Sequence, residues 1–450
     1  MTQPHRPRRP RTTVGRLTLF TALAVLATAV PHSAVAAGPV GAARPVGPVG
    51  ELPGVRPAAE TPAVYDDEAG GNADADDPAI WRNPADPARS LVVATLKEGG
   101  LRVYDLDARE VQSVPAPEAP GPDDAPGRFN NVDLVHGMKV GSGRSDLAVT
   151  SDRGSDRLRI YRIDGSSSKA PLTDITDPSA PTIFSSSQEE INEQRTAYGL
   201  ATWTDPASNR AYAVVSRRER TALRLLELTP RADGTVSYRT VRTLELPSEF
   251  RLPNGRTWAP CGEPGEQPQV EGMVVDPETG TLYAGQETVG IWRLDAGLRG
   301  TPKLIDKVRE YGVPGTYDEE TEECAPGTDP GYGGTHLSAD VEGLTVLHRK
   351  DGDGYLLASS QGDNSFAAYD REIGDRNAYA GGFKVTAASE TLDGTEESDG
   401  AAVLNRPLGR KYPHGLLVVQ DGADKPGEPD RDATNFKFVP LKPVLDALDD

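Results

Sequence analysis

Apolar and polar residues in this chain recur in short runs with strand-like alternation rather than at helical spacing, and the runs return in a fixed order. One motif, a strand with an aromatic or apolar centre, is found six times: LRVYDLD at Leu101, LRIYRID at Leu158, LRLLELT at Leu223, GIWRLDA at Gly290, FAAYDRE at Phe366 and FKFVPLK at Phe436. Each copy follows an apolar run: LVVAT at Leu91, DLAVTSD at Asp146, AYAVVSR at Ala211, TLYAGQE at Thr281, GYLLASSQGD at Gly354 and GLLVVQDG at Gly415. The residues between are mostly Gly, Asp, Lys, Ser and Arg, which suit hairpin turns, so each pair predicts an antiparallel hairpin.

Upstream of every hairpin stands a third segment: DDPAIW at Asp76, NNVDLVHG at Asn130, YGLATW at Tyr198, VEGMVVD at Val270, DVEGLTVL at Asp340 and SDGAAVL at Ser398. With a less regular fourth strand, such as Thr240 to Leu246, these make units of roughly 55 to 75 residues. Radial packing of four-stranded blades suits such a repeat, and the chain is expected to be all-β, a six-bladed β-propeller. A two-sheet sandwich also has many short strands, but it gives no reason for three differently patterned strands to return in one order six times.

The first residues follow another pattern. A basic run, Arg6 to Arg16, precedes the apolar stretch Leu17 to Val30 and the small triplet Ala34-Val35-Ala36, so residues 1–36 are expected to be a secretory signal. Residues 37–60, rich in Gly, Pro and Ala, are expected to be a flexible lead-in, with a single propeller domain over 61–450. No other segment is apolar for long enough to span a bilayer, and no heptad marks an interface, so a secreted monomer without a membrane span is expected.

Charge narrows the partners. The formal net charge of −20 becomes −25 once the five Arg of the signal are removed, which speaks against nucleic acid and anionic lipid. Two cysteines, Cys261 and Cys324, are expected to form a disulfide in an exported chain, the alternative being two buried, unpaired thiols.

In a propeller the first strand of each blade lines the central channel, so the starts of the upstream segments converge. They hold Asp76, Asp77, Asn130, Asn131, Asp133, Tyr198, Glu271, Asp340, Glu342 and Asp399. Carboxylates crowded at one mouth raise one another's pKa, and a hard divalent cation relieves that repulsion. An oxygen-only set without His or Cys selects calcium over zinc or copper.

The segments DDPAIW, GRFNNVD, EGMVVDPETGTLYAGQE, DVEGLTV with GYLLASSQGDNSFAAYDR, TLDGTEESDG and KYPHGLLVVQDG together resemble the β-propeller phytase family, in order from Asp74 to Phe438. The resemblance implies a calcium-dependent phosphomonoesterase of the 3-phytase type, hydrolysing phytate or its calcium complex with several Ca2+ ions as cofactors. It implies calcium ligation or water activation by Asp77, Glu271, Glu287, Asp340, Glu342, Gln361, Asp393 and Asp399, with Asn131 and Asp133 joining the metal set. Tyr198 matches the family's channel tyrosine and, with Glu271, Glu287, Asp340 and Glu342, makes up the implied catalytic group. Lys97 and Arg153 match residues that grip substrate phosphate, and Arg218 stands where the family usually has Lys. Gln286 stands where an acid is common beside the residue matched by Glu287, which implies one fewer negative ligand.

Signatures of other phosphatase chemistries are absent from the sequence: there is no Arg-His-Gly run, and neither cysteine has Arg six residues on. The expected mechanism is in-line attack by a calcium-activated water, without a covalent intermediate. A lactonase-like calcium propeller and a non-catalytic binding propeller are the alternative readings.

Overall fold

The computed structural model describes residues 51–450 except 69–72, 373, 375, 426–430 and 450. All six hairpins form, and each gains an inner and an outer strand to complete a blade. The innermost strands are Pro78–Trp81, Phe129–Val140, Ala197–Asp205, Val270–Asp276, Val341–His348 and Ala401–Leu404. Each packs beside the next, and the last returns to the first, closing a six-bladed β-propeller of antiparallel blades.

Burial explains the apolar runs of the sequence. A blade is covered on both faces by its neighbours, so the second strands Leu91–Thr95, Thr281–Gln286, Gly354–Ser360 and Leu416–Asp421 are buried at every position. They read as nearly continuous hydrophobic stretches, whereas outer strands such as Glu110–Val114 have no buried residue. The core therefore lies between blades: Val214, Leu282, Trp292 and Leu344, from three successive blades, pack in one cluster.

Ring closure uses both ends of the domain. Ala59–Glu60 pairs antiparallel with Ala433–Pro440, so the last blade takes its outer strand from the beginning of the chain. Gly54–Val55 adds in parallel to Tyr379–Val385 as a fifth strand of the preceding blade. The boundary expected at residue 60 thus falls inside paired chain, because these short strands have free hydrogen-bonding edges to occupy. The signal expected at 1–36 lies outside the described residues.

A nine-residue helix, Leu441–Asp449, follows the final strand and buries Leu441, Val444 and Leu448 against Val55 and Phe383. Among the described residues no helix is long and apolar enough to cross a membrane.

Candidate metal centre

Four inner strands break register at the same place. The irregularities fall between Phe129 and Val132, Ala197 and Leu200, Val270 and Met273, and Val341 and Leu344. They bracket Asn130-Asn131, Tyr198-Gly199, Glu271-Gly272 and Glu342-Gly343. A bulge re-aims a side chain, and here the bulges of four blades bring Asn130, Tyr198, Glu271 and Glu342 into one group. The glycines then allow close approach: a Cβ on Gly272 would lie 1.2 Å from the Glu342 carbonyl oxygen, and one on Gly343 2.4 Å from that of Asp399. Backbone of one blade touches backbone of the next, and their acids meet.

Carboxylate oxygens of Glu271, Glu287 and Glu342 lie within 4.8 Å of one another, and all three residues are buried. Asn130 donates to Glu271 at 2.6 Å, and the Tyr198 hydroxyl donates to its other oxygen. Gln361 donates to Asp399 at 2.7 Å, and Asp399 also bonds the Glu342 carboxyl. Asp77, Asn131, Glu271, Glu342 and Asp399 line a cavity of about 20 Å³, enough for one ion or water.

Burial pushes up the pKa of Glu271, Glu287, Glu342, Asp76, Asp77 and Asp399, and neighbouring carboxylates add to it in every case. Asp340 is raised to about 6 by burial, with Glu310 and Asp399 contributing. Several buried oxygens have no hydrogen-bond partner: Glu287 Oε1, Asp76 Oδ2 and Asn130 Oδ1. Unpartnered oxygens, converging acids and raised pKa values fit a hard cation held by oxygen.

Positive groups border these acids. Lys97 Nζ lies 2.5 Å from Asp74 and 3.7 Å from Asp399. Burial disfavours its charge, but Asp74, Asp76 and Asp399 outweigh that and raise its pKa. Arg153 lies 5.7 Å over the Tyr198 ring, and its buried Nε has no partner. Burial, then Arg218 and Arg128, pushes its pKa down to about 9, partly offset by Tyr198 and Glu271. Arg218 pairs with Glu219 and, with Glu287, lines an adjoining cleft.

Not every expected residue joins the centre. Asp393 pairs instead with Lys437, a fully buried ammonium that also meets Glu60 at 2.6 Å and Asp421 and Asp424 at 3.1 Å. Glu60, Asp393 and Asp424 form a second acidic group whose geometry suits a metal, but the Lys437 ammonium already stands among them. Asp133 is engaged by backbone, accepting from Leu134 at 2.7 Å and Thr202 at 2.6 Å. Gln286 is no vacant ligand position: its amide accepts from the Trp292 indole at 2.9 Å and donates to the Pro268 carbonyl at 2.8 Å.

Three neighbours escaped the sequence reading: Asp74 on Lys97, Glu310 beside Asp340, and Gln269, which donates to Glu287 at 3.0 Å. All three stand in connecting segments outside the strands, where the repeat gives no phase to read. The dipeptides Tyr198-Gly199, Glu271-Gly272, Glu342-Gly343 and Asp399-Gly400 were a readable signal for the close approach of blades.

A family model described as Phytase matches residues 24–252 and 266–450. The 3-phytase of Bacillus subtilis (strain 168) is 33% identical over 361 residues, covering 79% of this chain and 77% of that protein. Among solved structures, a calcium-binding regucalcin from Agrobacterium tumefaciens str. C58 is 12% identical, covering 87% of this chain and 97% of that one, with a TM-score of 0.43. A periplasmic gluconolactonase from Pseudomonas aeruginosa is also 12% identical, covering 68% and 70%, with a TM-score of 0.36. Neither structural likeness carries a functional argument.

Proposed function

The chain belongs to the phytase family and is a phytate-hydrolysing phosphomonoesterase, and we propose that it works through calcium held by Asp77, Glu271, Glu287, Asp340, Glu342 and Asp399. The observation that supports the metal most directly is the trio Glu271, Glu287 and Glu342, buried within 4.8 Å of one another with Glu287 Oε1 unpartnered. Three buried carboxylates cannot ionise together at low cost without a cation among them.

When bound, calcium supplies positive charge for phosphate oxygens and acidifies a coordinated water. The chain's own residues do the rest. Lys97, Arg153 and Arg218 hold the non-bridging oxygens of the phosphate under attack, Arg153 through the Nε that lacks a partner. The Glu287 carboxylate also takes the proton of the attacking water. Tyr198 keeps Glu271 oriented by donating to it. As the new P–O bond forms in line, the bond to the inositol oxygen breaks, and that oxygen takes a proton from solvent water.

An arginine-rich, apolar N-terminal segment and a disulfide favour an exported enzyme. Calorimetric titration of calcium into chelator-stripped protein tests the metal assignment. Binding is expected in wild type and weaker in Glu342→Gln; heat of binding that is absent, or identical in the two proteins, would remove the trio from the metal set.

A further inference from the structure

The family match stops at residue 252 and resumes at 266, and the segment between is held by a strand pair, a buried Trp and a disulfide. Phe250–Arg251 pairs with Thr257–Trp258, and Trp258 packs 4.7 Å from Tyr311 while its indole donates to the Val313 carbonyl at 2.8 Å. Cys261 is joined to Cys324, on the exposed hairpin formed by Gly315–Asp318 and Glu323–Pro326. Both amide hydrogens of Gln286 are spent on chain flanking the segment, at the Pro247 carbonyl (3.2 Å) and the Pro268 carbonyl (2.8 Å). A carboxylate at that position donates to neither.

Four residues after the gap lies Gln269. Its side-chain oxygen accepts from the Glu219 amide at 2.7 Å. Its nitrogen donates to Glu287 at 3.0 Å and to the Tyr198 hydroxyl at 3.3 Å. Since the Tyr198 hydroxyl donates onward to Glu271, donors and acceptors run one way, from the Glu219 amide through Gln269 and Tyr198 to Glu271. Flipping the Gln269 amide would set oxygen against carboxylate, so the network fixes its orientation.

We propose that the segment 253–265, closed by the Cys261–Cys324 bridge, is a clamp that holds Gln269 in place, and that Gln269 is a positioning residue for Glu287 and Tyr198. The inference rests on the reading of those two residues as part of the working site. The disulfide then acts on turnover through geometry: it anchors the wall of a cleft of about 150 Å³ whose lining includes Arg218, Cys261, Gln269 and Glu287.

The test compares oxidised wild type, C261S/C324S, Gln269→Ala and Gln269→Glu by phosphate release from phytate at saturating calcium, and by amide exchange at Glu219 in metal-free protein. In Gln269→Ala, kcat falls roughly tenfold with KM changed less than about twofold, because orientation rather than binding is lost. Gln269→Glu, equal in size but unable to donate, falls at least as far. The Glu219 amide exchanges faster in both. C261S/C324S shows the same pattern to a smaller extent, and dithiothreitol reproduces it in wild type while adding nothing to C261S/C324S.

An unchanged kcat in Gln269→Ala overturns the positioning role. Thiol titration showing full reduction of wild type with undiminished kcat overturns the clamp. If oxidised wild type releases no phosphate, the functional reading fails instead, and exchange at Glu219 alone decides whether the clamp holds Gln269.

Discussion

Asp340 and Arg153 have opposite tasks in the proposed mechanism, and single substitutions separate them. Asp340→Asn keeps the side chain's size and removes its charge, so kcat for phytate is expected to fall by at least about 10²-fold while circular dichroism shows the propeller still folded. Arg153→Ala removes a phosphate partner, so KM is expected to rise about tenfold with kcat less affected, as steady-state kinetics would show. Away from the mouth, Lys437 is a residue of stability. Replacing it by Met strands Glu60, Asp393, Asp421 and Asp424 together, an expected loss of about 3–5 kcal/mol in urea unfolding. At this scale the sequence was readable wherever a residue sits at the repeating phase, as Glu271, Glu342 and Asp399 do. At Gln286 it could not show that the amide is committed to the Trp292 indole and to the Pro247 and Pro268 carbonyls. It could not show that Asp393 meets an ammonium 44 residues away in the chain.

Among elements, the inner strands matter most, since a bulge and a glycine at the same point bring acids of neighbouring blades together. Gly272→Ala places a methyl 1.2 Å from the Glu342 carbonyl oxygen, a contact relieved only by parting the two blades. Calcium affinity is expected to drop along with the melting temperature, whereas a surface change such as Gly300→Ala, with open space at its Cβ but a positive φ of 75°, costs only modest stability and leaves calcium binding intact. Calorimetry on both variants checks this. Hairpins were legible because turn residues separate alternating runs. The strands Gly54–Val55 and Ala59–Glu60 were not: two residues carry no period, and their Pro- and Ala-rich surroundings read as linker.

For the whole molecule, the acids that make the site also load the fold. Asp340 has its pKa raised from the ordinary 3.8 to about 6, so the metal-free folded state binds more protons than the unfolded chain between those values. Its contribution to stability is therefore present at low pH and lost as pH rises through about 6. Stripped protein is expected to melt at lower temperature at pH 7 than at pH 5, and calcium is expected to reverse that order by binding the ionised form. The same crowding of acids in a chain of net charge −20 repels an anionic substrate, a repulsion that bound calcium would offset. The measurement that tests this most directly is phosphate release from sodium phytate by the purified protein, stripped with EDTA and then titrated with calcium. Release that is absent after stripping and restored by calcium is the predicted result; full release from the stripped, metal-free protein would contradict the account.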